Sequence, residues 1–282
     1  MTSCYNASIR PFRVLTIAGS DSGGGAGIQA DLKTISALGC YATSVLTALT
    51  AQNTQEVLSV YPVSADFVGE QLDAVLTDIG TDAIKIGMLQ DISIIKMIAA
   101  KLDYFDSVPV VLDPVMISTS GTCLLGRDAI KDLIALLFPL ATLLTPNLPE
   151  ASRLLGRRVE VKEQMEEAAL EIQEMGARAV LLKGGHLKSG KGCDCLAIDS
   201  TIHWIESLEV QTRNTHGTGC TYSSAIAAYL AKGFELLDAV TFAKHYLTAV
   251  IEAGSNFTIG KGFGPVHHFY DLWKIEEARC HR

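Results

Sequence analysis

The sequence lacks any apolar run near the roughly 20 residues that a membrane-spanning helix requires. Its amino terminus also lacks the apolar segment of a secretory signal. Basic residues are scarcer than acidic ones, 23 against 31, so the formal net charge is -8 and no dense Lys/Arg stripe occurs. These absences predict a protein that neither crosses a membrane nor takes nucleic acid as its main partner.

Cysteine is present without a pairing pattern. The seven cysteines are an odd, scattered set, which predicts reduced thiols and a cytoplasmic location. Only Cys193 and Cys195 lie close together, and no second pair or Cys/His set stands near them, so a structural zinc site is not expected. The histidines also lack metal-ligand spacing and are interpreted as polar groups near a site or near the carboxyl end, namely His186, His216, His267 and His268.

Apolar strands alternate with helical patterns along the 282 residues, of which 48% are hydrophobic. Buried strands are predicted at Ala83–Ile86, Val108–Leu112, Leu140–Leu144 and Ala179–Leu182. Helices are predicted between them at Asp66–Ile79, Ala129–Phe138 and Glu163–Met175. This order is typical of an α/β fold in which a mostly parallel sheet carries helices on both faces.

One segment departs from this alternation. Cys195–Ile198 and Ile202–Ile205, joined by Asp199-Ser200-Thr201, predict a hairpin and thus a small antiparallel edge on the sheet. No internal repeat, low-complexity tract or linker appears. We therefore expect one domain over residues 13–275, preceded by an extension of residues 1–12 and followed by a tail of residues 276–282.

A glycine turn with a thiol stands at residues 214–221, Asn-Thr-His-Gly-Thr-Gly-Cys-Thr, before a helix that is expected to begin near Thr221. Gly217 and Gly219 allow the backbone to aim several N–H groups at one point, and the helix adds a partial positive charge. A phosphate fits there. Cys220 in that field is expected to have a pKa below the ordinary ~8.5, as a proton acceptor needs. The alternative is a tight strand-to-helix connection with a packed thiol.

A second glycine turn follows an apolar strand at Val14–Ala18 and precedes a helix at Ile28–Leu38. It lacks the Lys-Ser/Thr ending of a P-loop and the glycine spacing of a dinucleotide fold. So many glycines predict a flat ligand lying close to the backbone. Asp31 lies one helical turn beyond Gly27, where it either faces the same cavity or sits on a solvated helix face.

Polar side chains also follow the predicted strands. Lys85 and Met88, Asp113 and Val115, Asn147 and Glu150, and Lys183 all stand at carboxyl ends, where ligands bind in open α/β sheets. Lys183 precedes two glycines and is interpreted as a point charge for nucleotide phosphates. Glu150 has a simpler alternative as the N-terminal partner of a helix, and Asp113 either helps a metal ion or fixes its loop.

The motifs together resemble the hydroxymethylpyrimidine and phosphomethylpyrimidine kinases of thiamine biosynthesis, a branch of the ribokinase superfamily. The resemblance covers about Arg13 to His268, with Ser22 where many members have proline. It rests on six blocks that occur in the family's order: Ala18–Asp31, Thr47–Thr54, Lys85–Leu89, Thr145–Glu150, Lys183–His186 and His216–Thr221.

The resemblance implies a ribokinase-like three-layer α/β/α sandwich that uses ATP and magnesium (Mg2+) and forms a homodimer. In such a site Cys220 accepts the proton of the hydroxymethyl group, and Gly217, Thr218, Gly219 and Lys183 stabilise the transferring phosphoryl group. The pyrimidine is expected against Gly19, Ala26, Asp31, Gln52, Met88 and Val115. The nucleotide is expected at Lys183, Asn147, Glu150, Gly217, Gly219 and Lys261, and the metal ion at Glu150 and Asp113.

Two other functions remain open from the sequence. A pyridoxal kinase would share the fold and the thiol. A non-catalytic nucleotide sensor is less well motivated, because a candidate base, a lysine and a metal carboxylate are all present.

Overall fold

The computed structural model describes residues 10–103, 105, 107–116, 126–185, 187 and 192–273. Most of the predicted extension, all of the predicted tail and His186 lie outside the described residues, so the expected domain bounds stay a prediction.

Within the described residues, nine strands form one sheet in the order β3-β2-β1-β4-β5-β6-β7-β8-β9. Strands β2, β1, β4, β5, β6 and β7 run parallel, while β3, β8 and β9 pair antiparallel with their neighbours. The strands are β1 Arg13–Asp21, β2 Tyr41–Gln52, β3 Val57–Pro62, β4 Ala83–Ile86, β5 Val110–Leu112, β6 Leu143–Leu144, β7 Ala179–Leu182, β8 Gly192–Ile198 and β9 Thr201–Ser207.

Helices cover both faces of this sheet. Helices α1, α7 and α8 pack together on one face, and α2 to α6 lie on the other. The helices are α1 Gly27–Ala37, α2 Ala65–Ala74, α3 Ile92–Leu102, α4 Arg127–Leu136, α5 Leu148–Leu155, α6 Met165–Glu174, α7 Thr218–Ala231 and α8 Leu236–Gly254. The predicted three-layer sandwich is therefore confirmed.

The two cores follow from the alternation of side chains along each strand. In β1, Leu15 and Ile17 enter the core beneath α2 to α6, whereas Val14 enters the core beneath α1, α7 and α8. Strand β5 also contributes to both cores. Val110 and Leu112 enter the core beneath α2 to α6, and Val111 enters the core beneath α1, α7 and α8. Strands buried on both faces read as continuous apolar runs, which is why the sequence revealed them.

The predicted strands Ala83–Ile86 and Ala179–Leu182 occur at the predicted bounds. Two others are shorter. The strand expected at Val108–Leu112 begins at Val110, and that expected at Leu140–Leu144 begins at Leu143, because Phe138–Leu140 forms a 3-10 turn that contains Pro139. The helix expected at Asp66–Ile79 ends at Ala74 and continues as a π-helical turn through Ile79.

The predicted hairpin is confirmed and is longer than expected. Its turn residues Asp199 and Ser200 both have positive φ, 47° and 61°, which matches the right-handed twist of the paired strands. At the opposite end of the sheet, β3 forms a second antiparallel edge that the sequence reasoning missed.

Among the described helices, none has the length and apolar character needed to cross a membrane.

Candidate active site

A cavity of about 640 Å³ lies at the carboxyl ends of the parallel strands. This is the edge where open α/β sheets bind ligands. The cavity brings together residues from all six sequence blocks. Predicted site residues that line it are Gly19, Ala26, Gln52, Met88, Asp113, Val115, Asn147, Glu150, Lys183, Gly217, Thr218, Gly219 and Cys220.

Asp31 is not among the lining residues of this cavity, so its expected contact with the pyrimidine stays a prediction. Its carboxylate is fully buried, with both oxygens 2.9 Å from Lys85 Nζ. The hydroxyls of Thr16 and Ser224 also donate to it, at 2.6 and 2.7 Å. Because these groups occupy the carboxylate, Asp31 acts as the buried counter-ion of Lys85.

Lys261 also lies outside the cavity lining, and its expected contact with the nucleotide stays a prediction. The residue is exposed, and its backbone N–H donates to Thr54 Oγ1 at 3.2 Å. This loop packs on the turn after β2, because Gly260 and Gly262 both lie against Thr54.

The two glycine turns pack backbone against backbone. Gly217 has φ +82°, and a Cβ there would collide with the Gly25 carbonyl. A Cβ on Gly25 would in turn collide with the His216 ring. The glycines therefore serve a close approach between the two turns as well as the expected anion site.

Helix α7 begins at Thr218, three residues earlier than expected, with Gly217 as its N-cap. The N–H of Thr218 donates to the Thr215 carbonyl at 3.2 Å, and that of Thr221 donates to Gly217 at 2.8 Å. The first turn of a helix leaves N–H groups without helical partners. Cys220 lies inside this turn, so the thiol and the helix terminus face the same part of the cavity.

The expectation of a lowered thiol pKa is wrong for the unliganded protein. Burial raises the pKa of Cys220 to about 11, assisted by the Asp31 and Asp113 carboxylates. The Lys85 cation and the Gly27 N–H act in the opposite direction, but they do not compensate for the loss of hydration. At neutral pH the thiol is therefore protonated.

Lys85 is the cation beneath that thiol. Ser224, which anchors Asp31, lies one helical turn after Cys220 on α7, so the Lys85–Asp31 pair sits below the thiol on the same side. Burial alone lowers the pKa of Lys85, but Asp31, Cys220 and Asp113 outweigh it, and the pKa is raised. Lys85 stays charged.

Lys183 and Asp113 form a second ion pair at the cavity wall, with Nζ and Oδ1 2.8 Å apart. The Thr145 hydroxyl donates to the same Asp113 oxygen at 3.0 Å. A Cβ on Gly219 would lie 3.5 Å from Lys183 Nζ and 3.6 Å from Asp113 Oδ2. The start of α7, the lysine and the carboxylate thus meet at one point.

Glu150 and Asn147 form a capping box at the start of α5. The Asn147 N–H donates to Glu150 Oε2 at 2.8 Å, and the Glu150 N–H donates to Asn147 Oδ1 at 2.9 Å. The helix-partner alternative for Glu150 is therefore present in the structure. Burial raises the pKa of Glu150 to about 7, with Asp113 adding to the rise and Lys183 opposing it.

Among the described residues, no group of three or more His, Cys, Asp or Glu side chains is placed to hold a metal ion. Magnesium is usually bound by only one or two carboxylates together with waters and substrate phosphates. Glu150 and Asp113 both line the cavity, and the Asp113 carboxylate raises the pKa of Glu150. A cation between them would offset this repulsion, so the residues present fit such an ion.

Sequence reasoning missed a buried pair behind the Lys183 turn. Asp194 Oδ1 accepts from the Gly184 N–H at 2.9 Å, and its Oδ2 lies 2.7 Å from Lys244 Nζ. Lys244 sits on the buried side of α8 between Val240 and Leu247. A lysine at a helical position otherwise filled by apolar residues was the available signal.

Comparison with known proteins identifies the family. The family model described as phosphomethylpyrimidine kinase matches residues 21–267. A hydroxymethylpyrimidine/phosphomethylpyrimidine kinase of Rhizobium meliloti is 52% identical over 261 residues, covering 92% of this chain and 98% of the relative. A bifunctional thiamine biosynthesis protein of Geobacter sulfurreducens is also 52% identical, covering 90% of this chain. The chain spans about half of that longer relative, 52% of its length.

Solved structures agree on the fold. A Bacillus subtilis pyridoxal kinase in complex with ADP has a TM-score of 0.86 at 39% identity, covering 93% of this chain and 100% of that one. A phosphomethylpyrimidine kinase of Clostridium difficile has a TM-score of 0.76 at 44% identity, covering 85% and 99%.

Proposed function

The chain belongs to the phosphomethylpyrimidine kinase family, and we propose that its cavity phosphorylates 4-amino-5-hydroxymethyl-2-methylpyrimidine, and then the resulting monophosphate, at the expense of ATP. The observation that carries the proposal is the meeting of Lys183, Asp113 and the first turn of α7 at one cavity wall beside Cys220. Positive charge and N–H donors converge there, as phosphoryl transfer requires.

In the first step the hydroxymethyl oxygen attacks the γ-phosphorus, and the bond from that phosphorus to the β-phosphate oxygen breaks. Lys183 and the N–H groups at the start of α7 bind the oxygens on which charge accumulates. The proton of the hydroxymethyl group leaves towards Cys220. Because the free thiol is protonated at neutral pH, this role requires that bound ligands lower its pKa.

Glu150 and Asp113 would hold the magnesium ion, which would neutralise charge on the nucleotide phosphates. Asn147 fixes Glu150 through the capping box. Glu150 must be ionised to bind a cation. Since its pKa is about 7, metal affinity should rise as the pH increases through neutrality.

The acceptor ring would occupy the end of the cavity lined by Gly19, Ala26, Gln52, Met88 and Val115. A Cβ on Gly19 would lie 3.2 Å from the Met88 sulfur, so the glycine leaves room for a flat ring beside this side chain. The nucleotide would occupy the opposite end, which Leu208–Thr212 and helix α8 line. The ADP complex of the Bacillus subtilis relative supports a nucleotide site in this fold.

A homodimer is part of the proposal. The edge strand β3 exposes Leu58 and Tyr61, at 65% and 70%, and no other strand of the described residues pairs with its outer side. Such edges are normally protected or paired. Light scattering that gives twice the 30.2 kDa chain mass supports the dimer, and a single chain mass contradicts it.

Lys183→Ala and Glu150→Gln are expected to lower kcat/KM by about 100-fold or more, and by the same factor for both phosphorylation steps. Both steps use the same phosphoryl donor and metal ion. Glutamine keeps an oxygen for the capping box while removing the charge, so a loss in Glu150→Gln reports the charge.

The measurement is the rate of monophosphate and of diphosphate formation with each substrate supplied separately. Lys101→Ala, which removes a partly buried surface lysine paired with Asp73, is the matched control. A variant that loses only the second step would show that its residue binds the phosphate of the acceptor, contrary to the assignment.

The proposed function itself is tested by ATP consumption with the pyrimidine alcohol, its monophosphate and pyridoxal, each assayed alone. Turnover of both pyrimidines supports it. Turnover of pyridoxal alone favours the vitamin B6 function of the Bacillus subtilis structural relative.

A further inference from the structure

His216 connects the glycine turn that follows β1 to the cavity wall. Its Nε2 lies 2.9 Å from Asp21 Oδ2 and 3.3 Å from Gln52 Nε2. Gln52 and His216 both line the cavity. Asp21, His216 and Gln52 thus form one continuous chain of polar contacts.

The proton on His216 Nε2 is fixed by Asp21. The Asp21 carboxylate accepts from the N–H groups of Gly23, Gly25 and Ala26 at 2.8, 3.0 and 2.8 Å. Burial alone raises the pKa of Asp21, but the bonds from His216, Ala26 and Gly23 outweigh it and the pKa is lowered. An ionised carboxylate only accepts, so His216 Nε2 carries hydrogen and donates to it.

A protonated Nε2 cannot accept from an amide N–H of Gln52. Amide oxygen and nitrogen have nearly the same shape, so the inventory of donors and acceptors decides which of them faces His216. The Gln52 amide oxygen satisfies this contact, because the Nε2–H of His216 can donate to it and to Asp21 in a bifurcated hydrogen bond. The other end of the amide then presents nitrogen to Thr50.

Thr50 independently requires the same orientation. Its hydroxyl lies 2.9 Å from the Ser20 carbonyl and 3.2 Å from the Gln52 amide. A hydroxyl has one hydrogen, and the Ser20 carbonyl can only accept it. The Thr50 oxygen is therefore free to accept from the Gln52 amide nitrogen.

We propose that His216 determines substrate specificity by fixing the Gln52 amide with its oxygen towards His216 and its nitrogen towards Thr50. In this orientation one amide hydrogen and one oxygen lone pair remain unused. They match an aromatic ring nitrogen beside an exocyclic amine, which offers an acceptor next to a donor. The inference rests on the proposed function, because the aminopyrimidine carries this edge and pyridoxal does not.

A purely structural role for His216 predicts something different. The ring packs against Gly25, where a Cβ would collide with it, so its loss would loosen the contact between the two glycine turns. That effect would reach the phosphate end of the cavity and reduce kcat with every acceptor. It would also persist when Gln52 is absent.

The test compares His216→Leu and His216→Gln, each alone and combined with Gln52→Ala. Leucine fills similar space without a donor, whereas the glutamine amide reaches Asp21 with an N–H. His216→Leu is expected to raise KM for the pyrimidine alcohol by about tenfold or more, while kcat changes little. In His216→Gln, KM should return most of the way to the wild-type value.

The decisive result is whether the effects of the His216 and Gln52 substitutions on KM are additive. In the Gln52→Ala background, His216→Leu should cause little further loss, because the two residues act through one contact. Equal losses in both backgrounds, or a fall in kcat that glutamine does not restore, would overturn the proposal. Pyrimidine binding measured by calorimetry, with melting temperatures for each variant, separates these outcomes from misfolding.

Failure of the proposed function would look different. A wild-type protein that does not phosphorylate the pyrimidine contradicts the function, whereas an active wild type with additive losses contradicts only the role of His216.

Discussion

Gly219→Val is expected to remove almost all phosphoryl transfer, with a larger loss in kcat than Cys220→Ala causes. A Cβ at this position fits, since it would lie 3.5 Å from Lys183 Nζ and 3.6 Å from Asp113 Oδ2. The two further methyl groups of valine enter the space where Lys183, Asp113 and α7 meet. Loss of one oxyanion donor typically costs about 2.7 to 4 kcal/mol, and valine would displace the phosphate from several.

Gly219→Ala is the matched control, because its single methyl group stays in ordinary contact distance. Single-turnover rates and melting temperatures should show Gly219→Val folded and nearly inactive, and Gly219→Ala much less impaired. Comparable activity of the valine variant and the wild type would contradict an anion site at this turn.

Cys220→Ala should fold, bind both substrates and retain slow turnover. A general base contributes about 10²- to 10⁴-fold, and the late departure of the acceptor proton in a dissociative transition state favours the lower end. Wild-type turnover in this variant would reduce the thiol to a packing residue.

The sign of the pH dependence follows from burial of the thiol. With a pKa of about 11 in the free protein, the thiolate fraction rises with pH across the neutral and mildly alkaline range. Alkylation of Cys220 by iodoacetamide should be slow at neutral pH, accelerate towards pH 10 and be slowed by bound pyrimidine. Fast alkylation at pH 6 would contradict the structure's account of the thiol.

Asp31→Asn should lower the free energy of unfolding by about 3 to 5 kcal/mol, since it leaves Lys85 as a buried charge without a counter-ion. Both side chains are fully buried, and Thr16 and Ser224 lose the charged acceptor to which they donate. Urea unfolding of the variant measures the loss.

The double variant Asp31→Asn with Lys85→Met supplies the control. Removing both charges is often much less costly than removing one, so the double variant should recover part of the stability. Wild-type stability in Asp31→Asn, together with a raised KM for the pyrimidine, would instead return Asp31 to the substrate-binding role expected from its sequence position.

Asp31 illustrates what the sequence does not contain. The helix that carries Asp31 was correctly predicted beside the glycine turn, but the partner of its carboxylate, Lys85, is 54 residues away on strand β4. The expectation of a lowered pKa for Cys220 was wrong for a related reason. The helix terminus is visible in the sequence, whereas the burial that outweighs it depends on how the layers pack.

Other features were within reach of sequence reasoning because they are local. Strand ends, glycine turns and the hairpin follow from neighbouring residues, and they placed Lys183, Asp113 and Cys220 at one edge of the sheet. The contact between Gly217 and Gly25 was not predictable, since it joins turns almost two hundred residues apart. Strand β3 was missed because most of its residues are exposed, and it lacks the continuous apolar run of the buried strands.

If this cavity acts on the aminopyrimidine, the ratio of kcat/KM for the pyrimidine alcohol to kcat/KM for pyridoxal will show it. A site whose buried polar groups pair with an amine and a ring nitrogen leaves them unpaired with a ligand that lacks these groups. We expect a clearly larger kcat/KM for the pyrimidine alcohol, with diphosphate as the final product. A larger kcat/KM for pyridoxal would contradict it.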